Sequence, residues 1–346
     1  MSKLGDYSLI GPHGDDGVAT DLLILDTNVL IDMRDFCFHG PHRAPSGLKE
    51  LLLTFPCSTQ GAVDIQYGWA AAEASWARGS GNDAIRRRGL VHSASEILRW
   101  DESRIEREFA NRHAPVNRDK RWPAPIGLDD DIADPRMFLL ANYGSLLYLL
   151  TLRTNRRVVD PLRCLEDYVA WTTNELGVRS SYALSLAVAL LCGDSVAKQN
   201  SSAILKLSGS EDADAMASKS WNGAWDFFMT SLGEGYSYGL LPVVQPRPTV
   251  LVTRDKDPGL VRLMTEVRAV VDSGSERIPF TVVSGGLNKA ISWQQVQSLI
   301  DLDPIEALSR FSRAPEILLR QAAAAVNRLE RHLGTSAVLS HDGWML

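Results

Sequence analysis

The sequence predicts an α/β protein: a parallel sheet flanked by helices, with a large α-helical insertion and a C-terminal helical extension. Three observations carry this. Leu22-Leu23-Ile24-Leu25 is a short, wholly apolar run that stops at Asp26, the mark of a strand buried on both faces. Val250-Leu251-Val252, closing on Thr253-Arg254-Asp255, and Phe280-Thr281-Val282-Val283, closing on Ser284-Gly285-Gly286, repeat the pattern. Between these two, Asp257-Pro258 reads as a helix start with an Asp cap and an early proline, and Leu260, Leu263, Met264, Val267 and Val271 follow at helical spacing. Strand, helix, strand at this length is a βαβ unit.

In chain order, residues 1–20 are rich in Gly, Asp and Ser and read as a tail. The sheet unit is discontinuous, residues 21–85 and 221–285. In its helix over residues 63–78, Trp69, Glu73 and Trp76 share a face. In its helix around residues 221–232, Trp221, Trp225, Phe228 and Leu232 form the core stripe, with Asp226 at its border. Residues 86–220 show helical periodicity broken at prolines and form the insertion. Their apolar runs, Met137–Leu152 and Tyr182–Cys192, fall short of the ~20 residues a membrane-spanning helix needs. Residues 286–346 form the extension, with helices expected at Ser292–Ser309 and Pro315–Leu333, the latter stopped by Gly334.

At 346 residues the chain has room for two units, or for one domain with a large insertion. With 45% hydrophobic and 23% charged residues, disorder as the dominant state is excluded. A net charge of −6 argues against a basic nucleic-acid coat but leaves room for a local patch. The first residues lack the apolar core of a signal peptide, and four dispersed cysteines without a CxxC pair suit reduced thiols, so a cytoplasmic location is expected. Cys37, His39 and His42 have zinc-like spacing but no fourth ligand nearby, and read as a plain loop.

The chemistry gathers on acids at strand ends. A lone Asp after a strand is ordinarily a helix cap or turn residue. Here two strands end this way, at Asp26 and Asp255, each followed by another acid, Asp32 or Asp257. On neighbouring strands such carboxylates crowd together and need a proton or a cation, and hard oxygen ligands select Mg²⁺ or Mn²⁺. Glu73, on a face with two tryptophans, is a third candidate because a carboxylate there needs a partner. Asp226 is a fourth, beside the small residues Gly223 and Ala224.

Leu22–Asp32, reading LLILDTNVLID, resembles the first strand and helix of PIN-domain nucleases, the group that includes VapC-type toxins. AWDFFMTSL and VLVTRDKD resemble the family's third-acid helix and its Thr-x-Asp strand end, and Glu73 in YGWAAAEAS occupies the expected helix between. The resemblance covers roughly residues 21–80 and 221–285. It implies a PIN-like fold and an acidic Mg²⁺ or Mn²⁺ site of Asp26, Glu73, Asp226 and Asp255, with Asp257 as a candidate fifth ligand. Asn28 and Thr253 match positions that hold the acids by hydrogen bonds. The long gap before Asp226 leaves Asp194 and Asp214 as alternative third acids. The activity implied is phosphodiester hydrolysis by a metal-bound water, in RNA before DNA. The resemblance admits a toxin-like role with an inhibitory or regulatory protein partner, and the length of the chain leaves a defence or RNA-processing role equally open.

Substrate contact then requires cations. Between Arg86 and Arg121, ten basic residues stand against six acids, with Trp100 and Trp122 interleaved as stacking candidates. Arg86, Arg87 and Arg88 follow the Glu73 helix directly and are the first candidates for phosphate contact, followed by Arg254 and Lys256 beside Asp255. The rival readings are a non-catalytic PIN-like module that binds RNA or protein, a DNA-directed nuclease, and a haloacid-dehalogenase-type phosphatase. The last needs Asp-x-Asp, and Asn28 stands in the second place. No membrane partner is expected.

Overall fold

The computed structural model describes residues 2–11, 20–55, 63–77, 81–115, 135–155, 160–206, 212–238, 245–254, 267–272, 277–281, 286–300 and 314–336. The chain begins with β1 (Ser2–Leu4), β2 (Tyr7–Ile10), β3 (Leu22–Leu25), α1 (Thr27–His39), α2 (Leu48–Thr54), β4 (Asp64–Gln66) and α3 (Gly68–Ser75). A ribbon of β5 (Trp76–Ala77) and β6 (Gly81–Asn82) leads to α4 (Ala84–Ile97) and α5 (Glu102–Ala110). Then come α6 (Arg136–Asn155), α7 (Pro161–Trp171), α8 (Ser181–Cys192), α9 (Ser195–Ile204) and α10 (Ala213–Tyr238). β7 (Thr249–Thr253), β8 (Val267–Asp272), β9 (Arg277–Thr281), α11 (Trp293–Ile300) and α12 (Pro315–Leu333) complete the order.

The fold is α/β, built on a five-stranded mixed sheet in the order β1-β2-β7-β3-β4. β3 runs parallel to β4 on one side and to β7 on the other, Leu25 opposite Val252. All four β3 side chains are buried, as an apolar run in a strand covered on both faces must be. α1 lays Val29, Leu30, Met33, Phe36 and Cys37 into the core and packs against α3 and α4.

Several expectations are corrected. The sheet is mixed because residues 2–10 are no tail: β1 and β2 form a hairpin that extends it antiparallel to β7, Ser8 opposite Thr253. Tyr7 and Ile10 are buried and anchor the hairpin. The segment Val267–Asp272, expected as the end of a helix, is a strand paired antiparallel with β9 in a separate sheet. Its β-branched valines favour extended backbone. Asp257–Met264 and Val282–Gly285 lie outside the described residues, as do Trp122 and Asp301–Ser309.

The expected boundaries shift as well. α4 and α5 fall in the expected insertion, yet α4 packs on α1 and α3, and α5 on α2. The helical bundle centres on α6, which is flanked by α8, α10 and α12. The expected extension therefore contributes α12 to this bundle. Among the described residues no helix is long and apolar enough to cross a membrane.

The hairpin is docked through two glycines. Gly47 has φ +96°, and a Cβ there would lie 2.0 Å from the Leu4 carbonyl oxygen; Gly5 has φ +56°, and a Cβ there would lie 2.3 Å from the Ser46 carbonyl oxygen. Gly47→Ala is expected to cost about 1–3 kcal/mol from backbone strain alone, read as a lowered denaturation midpoint. An unchanged midpoint overturns that docking.

Candidate active site

Asp26 leaves β3 at its carboxyl end, and its amide donates to the Val252 carbonyl at 2.9 Å. The parallel register thereby sets it beside Thr253. Its carboxylate is held at both oxygens. Oδ1 accepts from the Thr27 amide at 2.7 Å, which makes Asp26 the N-cap of α1. Oδ2 accepts from the Thr253 hydroxyl at 2.6 Å and from Asn28 Nδ2 at 3.3 Å. Thr253 is fully buried.

Glu73 reaches the same place from α3. The Thr27 hydroxyl donates to Glu73 Oε2 at 2.6 Å, with the Ala70 carbonyl as a further acceptor at 3.1 Å. Thr27 therefore touches both carboxylates, Asp26 through its amide and Glu73 through its hydroxyl. The sequence reading passed over Thr27. Its only signal there was a short hydroxyl side chain at the first position of a helix, next to a candidate ligand.

The other candidates are placed differently. Asp226 lies on α10, and its Oδ2 is 4.0 Å from Lys206 Nζ at the end of α9. Its neighbours Trp225 and Phe228 meet Trp76 of β5 and Trp69 of α3, respectively, edge to face. The two alternative third acids have structural work: Asp194 caps α9 and accepts from the Gly286 amide, and Asp214 accepts from the Ser336 amide. Asp255, Lys256 and Asp257 lie outside the described residues. Among the described residues, no group of three or more His, Cys, Asp or Glu side chains is arranged to hold a metal ion.

Of the candidate cations, Arg86 and Arg88 are exposed on the first turns of α4, and Arg87 is half-buried. The start of α4 is tied to the end of α3 by Asp83, whose amide donates to the Ser75 carbonyl at 2.7 Å. Arg254 turns to Asp32 instead, its Nη1 3.2 Å from Asp32 Oδ1. Asp32 is buried and also accepts from the Tyr7 hydroxyl at 2.9 Å. Burial pushes the Asp32 carboxyl up, against the Tyr7 hydrogen bond and the Arg254 charge, which lower it.

Two further expectations are settled by packing. Trp100 is buried, donates to Glu96 and carries the Arg104 guanidinium 4.7 Å above its ring, so its faces are not open to a base. Cys37 and His39, expected in a loop, lie instead in α1, where Cys37 is fully buried and burial pushes its thiol up to about 12.

No protein family, curated protein or solved structure matches this chain.

The donor set around Thr27 consists of carboxylate oxygens from two different elements. Mg²⁺ commonly takes one or two protein carboxylates and keeps waters and substrate phosphates on its other positions. Asp26 and Glu73 fit that demand by type and by their common anchor.

Proposed function

We propose that the chain is a PIN-like, metal-dependent nuclease that hydrolyses phosphodiester bonds, with RNA as the preferred substrate over DNA. The observation that carries the reading is Thr27, which ties two carboxylates to one point at the carboxyl end of adjacent parallel strands. Ligands of open α/β sheets bind at such strand ends. The parallel order β7-β3-β4, with the first acid on the middle strand, supports the PIN-like reading.

Asp26 and Glu73 would hold Mg²⁺ or Mn²⁺, whose chemistry is to neutralise phosphate charge and lower the pKa of a bound water. Thr253, Asn28 and Thr27 fix the carboxylate rotamers, so that the site needs little rearrangement when loaded. Arg86 and Arg88 offer exposed positive charge to the nucleic-acid backbone. Replacing both with alanine is expected to flatten the fall of RNA binding with salt, by up to about two units of log–log slope. An unchanged slope removes them from the interface.

The test is a panel of single- and double-stranded RNA and DNA, incubated with Mg²⁺, Mn²⁺ or chelator, with Asp26→Asn protein in parallel. Divalent-dependent cleavage of RNA, absent in the variant, supports the proposal. One observation favours the rival binding module: the Asp226 carboxylate is close to a lysine. RNA retention in a gel without cleavage under every metal condition decides for that rival.

A further inference from the structure

We propose that Asp32 and Tyr7 are positioning residues: by gripping Arg254 they hold the carboxyl end of β7 where Thr253 meets Asp26. The inference deepens the nuclease reading, since the carboxylate it serves is the metal-holding Asp26, but its structural half stands apart from that reading.

The argument is a closed circuit of contacts. Asp26 caps α1, and Asp32 lies on the same helix with its carboxylate buried. Asp32 Oδ1 is 3.2 Å from Arg254 Nη1, and Arg254 directly follows Thr253. Thr253 returns the circuit to Asp26 through its hydroxyl, at 2.6 Å. The antiparallel register that puts Ser8 opposite Thr253 brings Tyr7 to the level of Arg254. Tyr7 is itself fully buried and donates to the other oxygen of Asp32.

A buried carboxylate is costly unless its oxygens are satisfied. Here both are occupied, one by a cation from the end of β7 and one by a hydroxyl from the hairpin. Such a pair contributes little net stability, but it defines one geometry, because any displacement of the β7 end leaves a charge buried alone. The geometry it defines includes the Thr253–Asp26 hydrogen bond. Partners of this kind, one step removed from a metal ligand, typically alter metal affinity by about 10–100-fold when lost.

The experiment uses the full chain with Asp32→Asn and, in case that variant folds poorly, Tyr7→Phe, which removes a single hydroxyl. Mn²⁺ binding is followed by the electron paramagnetic resonance of free Mn²⁺. Hydrogen exchange of the Val252–Arg254 amides is followed in metal-free protein. The expected result is Mn²⁺ affinity weakened about tenfold or more, with faster exchange confined to the β7 end. Arg254→Lys, which keeps the charge, should recover part of the affinity that Arg254→Ala loses. Wild-type Mn²⁺ affinity and wild-type β7 exchange in a folded Asp32→Asn protein overturn the inference. If the wild-type protein itself binds no Mn²⁺, the metal reading of the site fails. Exchange then decides alone: faster exchange at the β7 end upholds the grip, and unchanged exchange overturns it.

Discussion

Asp26→Asn is expected to lose divalent-dependent cleavage while the protein keeps its fold. Asparagine is as good an N-cap as aspartate, so its carbonyl oxygen can still accept from the Thr27 amide and α1 keeps its start. What the variant loses is negative charge and the second acceptor, where Thr253 and Asn28 now donate. Removing a positioning hydrogen bond costs about 10–100-fold, so Thr253→Val sets the milder expectation and Asp26→Asn must exceed it. The measurement is the rate of product release from a fluorescent RNA under saturating Mn²⁺, alongside thermal denaturation. Full activity in the Asp26→Asn protein refutes the assignment of this carboxylate.

Glu234→Gln is expected to abolish most of the pH dependence of stability between pH 5 and 8. Glu234 is buried in the helical bundle, where the Tyr182 hydroxyl donates to its Oε2, while Oε1 has no hydrogen-bond partner among the described residues. Burial raises its carboxyl from 4.5 to about 7, more than the Tyr182 hydrogen bond lowers it. A folded pKa above the unfolded one means the folded state binds the proton more tightly. The contribution is therefore fully present below about pH 4.5 and is lost as pH rises through 7. The loss amounts to about 3 kcal/mol by pH 8. Glutamine carries no charge at any of these pH values, but its amide group meets the same unpartnered surroundings, at a cost of about 1–3 kcal/mol. The slope is thus the diagnostic quantity. Denaturant midpoints from pH 5 to 8 should fall for the wild type and stay level for the variant. Parallel profiles exclude a titrating Glu234.

The central strands were legible because burial on both faces leaves no room for polar residues: Leu22–Leu25 and Val250–Val252 are apolar throughout. The N-terminal hairpin was not, since three- and four-residue strands amid Gly, Asp and Ser carry too few apolar positions to show a period. Val267 and Val271 sit four residues apart and fit a helical stripe equally well, so periodicity alone could not separate strand from helix there. Within the site, Asp26 and Glu73 were readable as acids beside apolar runs, whereas Asn28 and Thr253 were expected only through the resemblance to PIN-domain nucleases. The pairing of Asp226 with Lys206 was not readable, because it depends on where Lys206 lies against α10. Nor was the turn of Arg254 toward Asp32, which depends on a hairpin that the sequence concealed.

The pairing of Ser8 with Thr253 also bears on how the chain is made. During synthesis β2 and β3 leave the ribosome long before β7, and the helices from α4 to α10 emerge in between. Until that last partner arrives, β3 has an apolar edge with an unfilled ladder, and β2 has no sheet to join. Distant pairings of this kind are slow to close and leave sticky intermediates. The nascent protein thus has an interval in which half of its central sheet waits uncovered, a natural moment for chaperone capture.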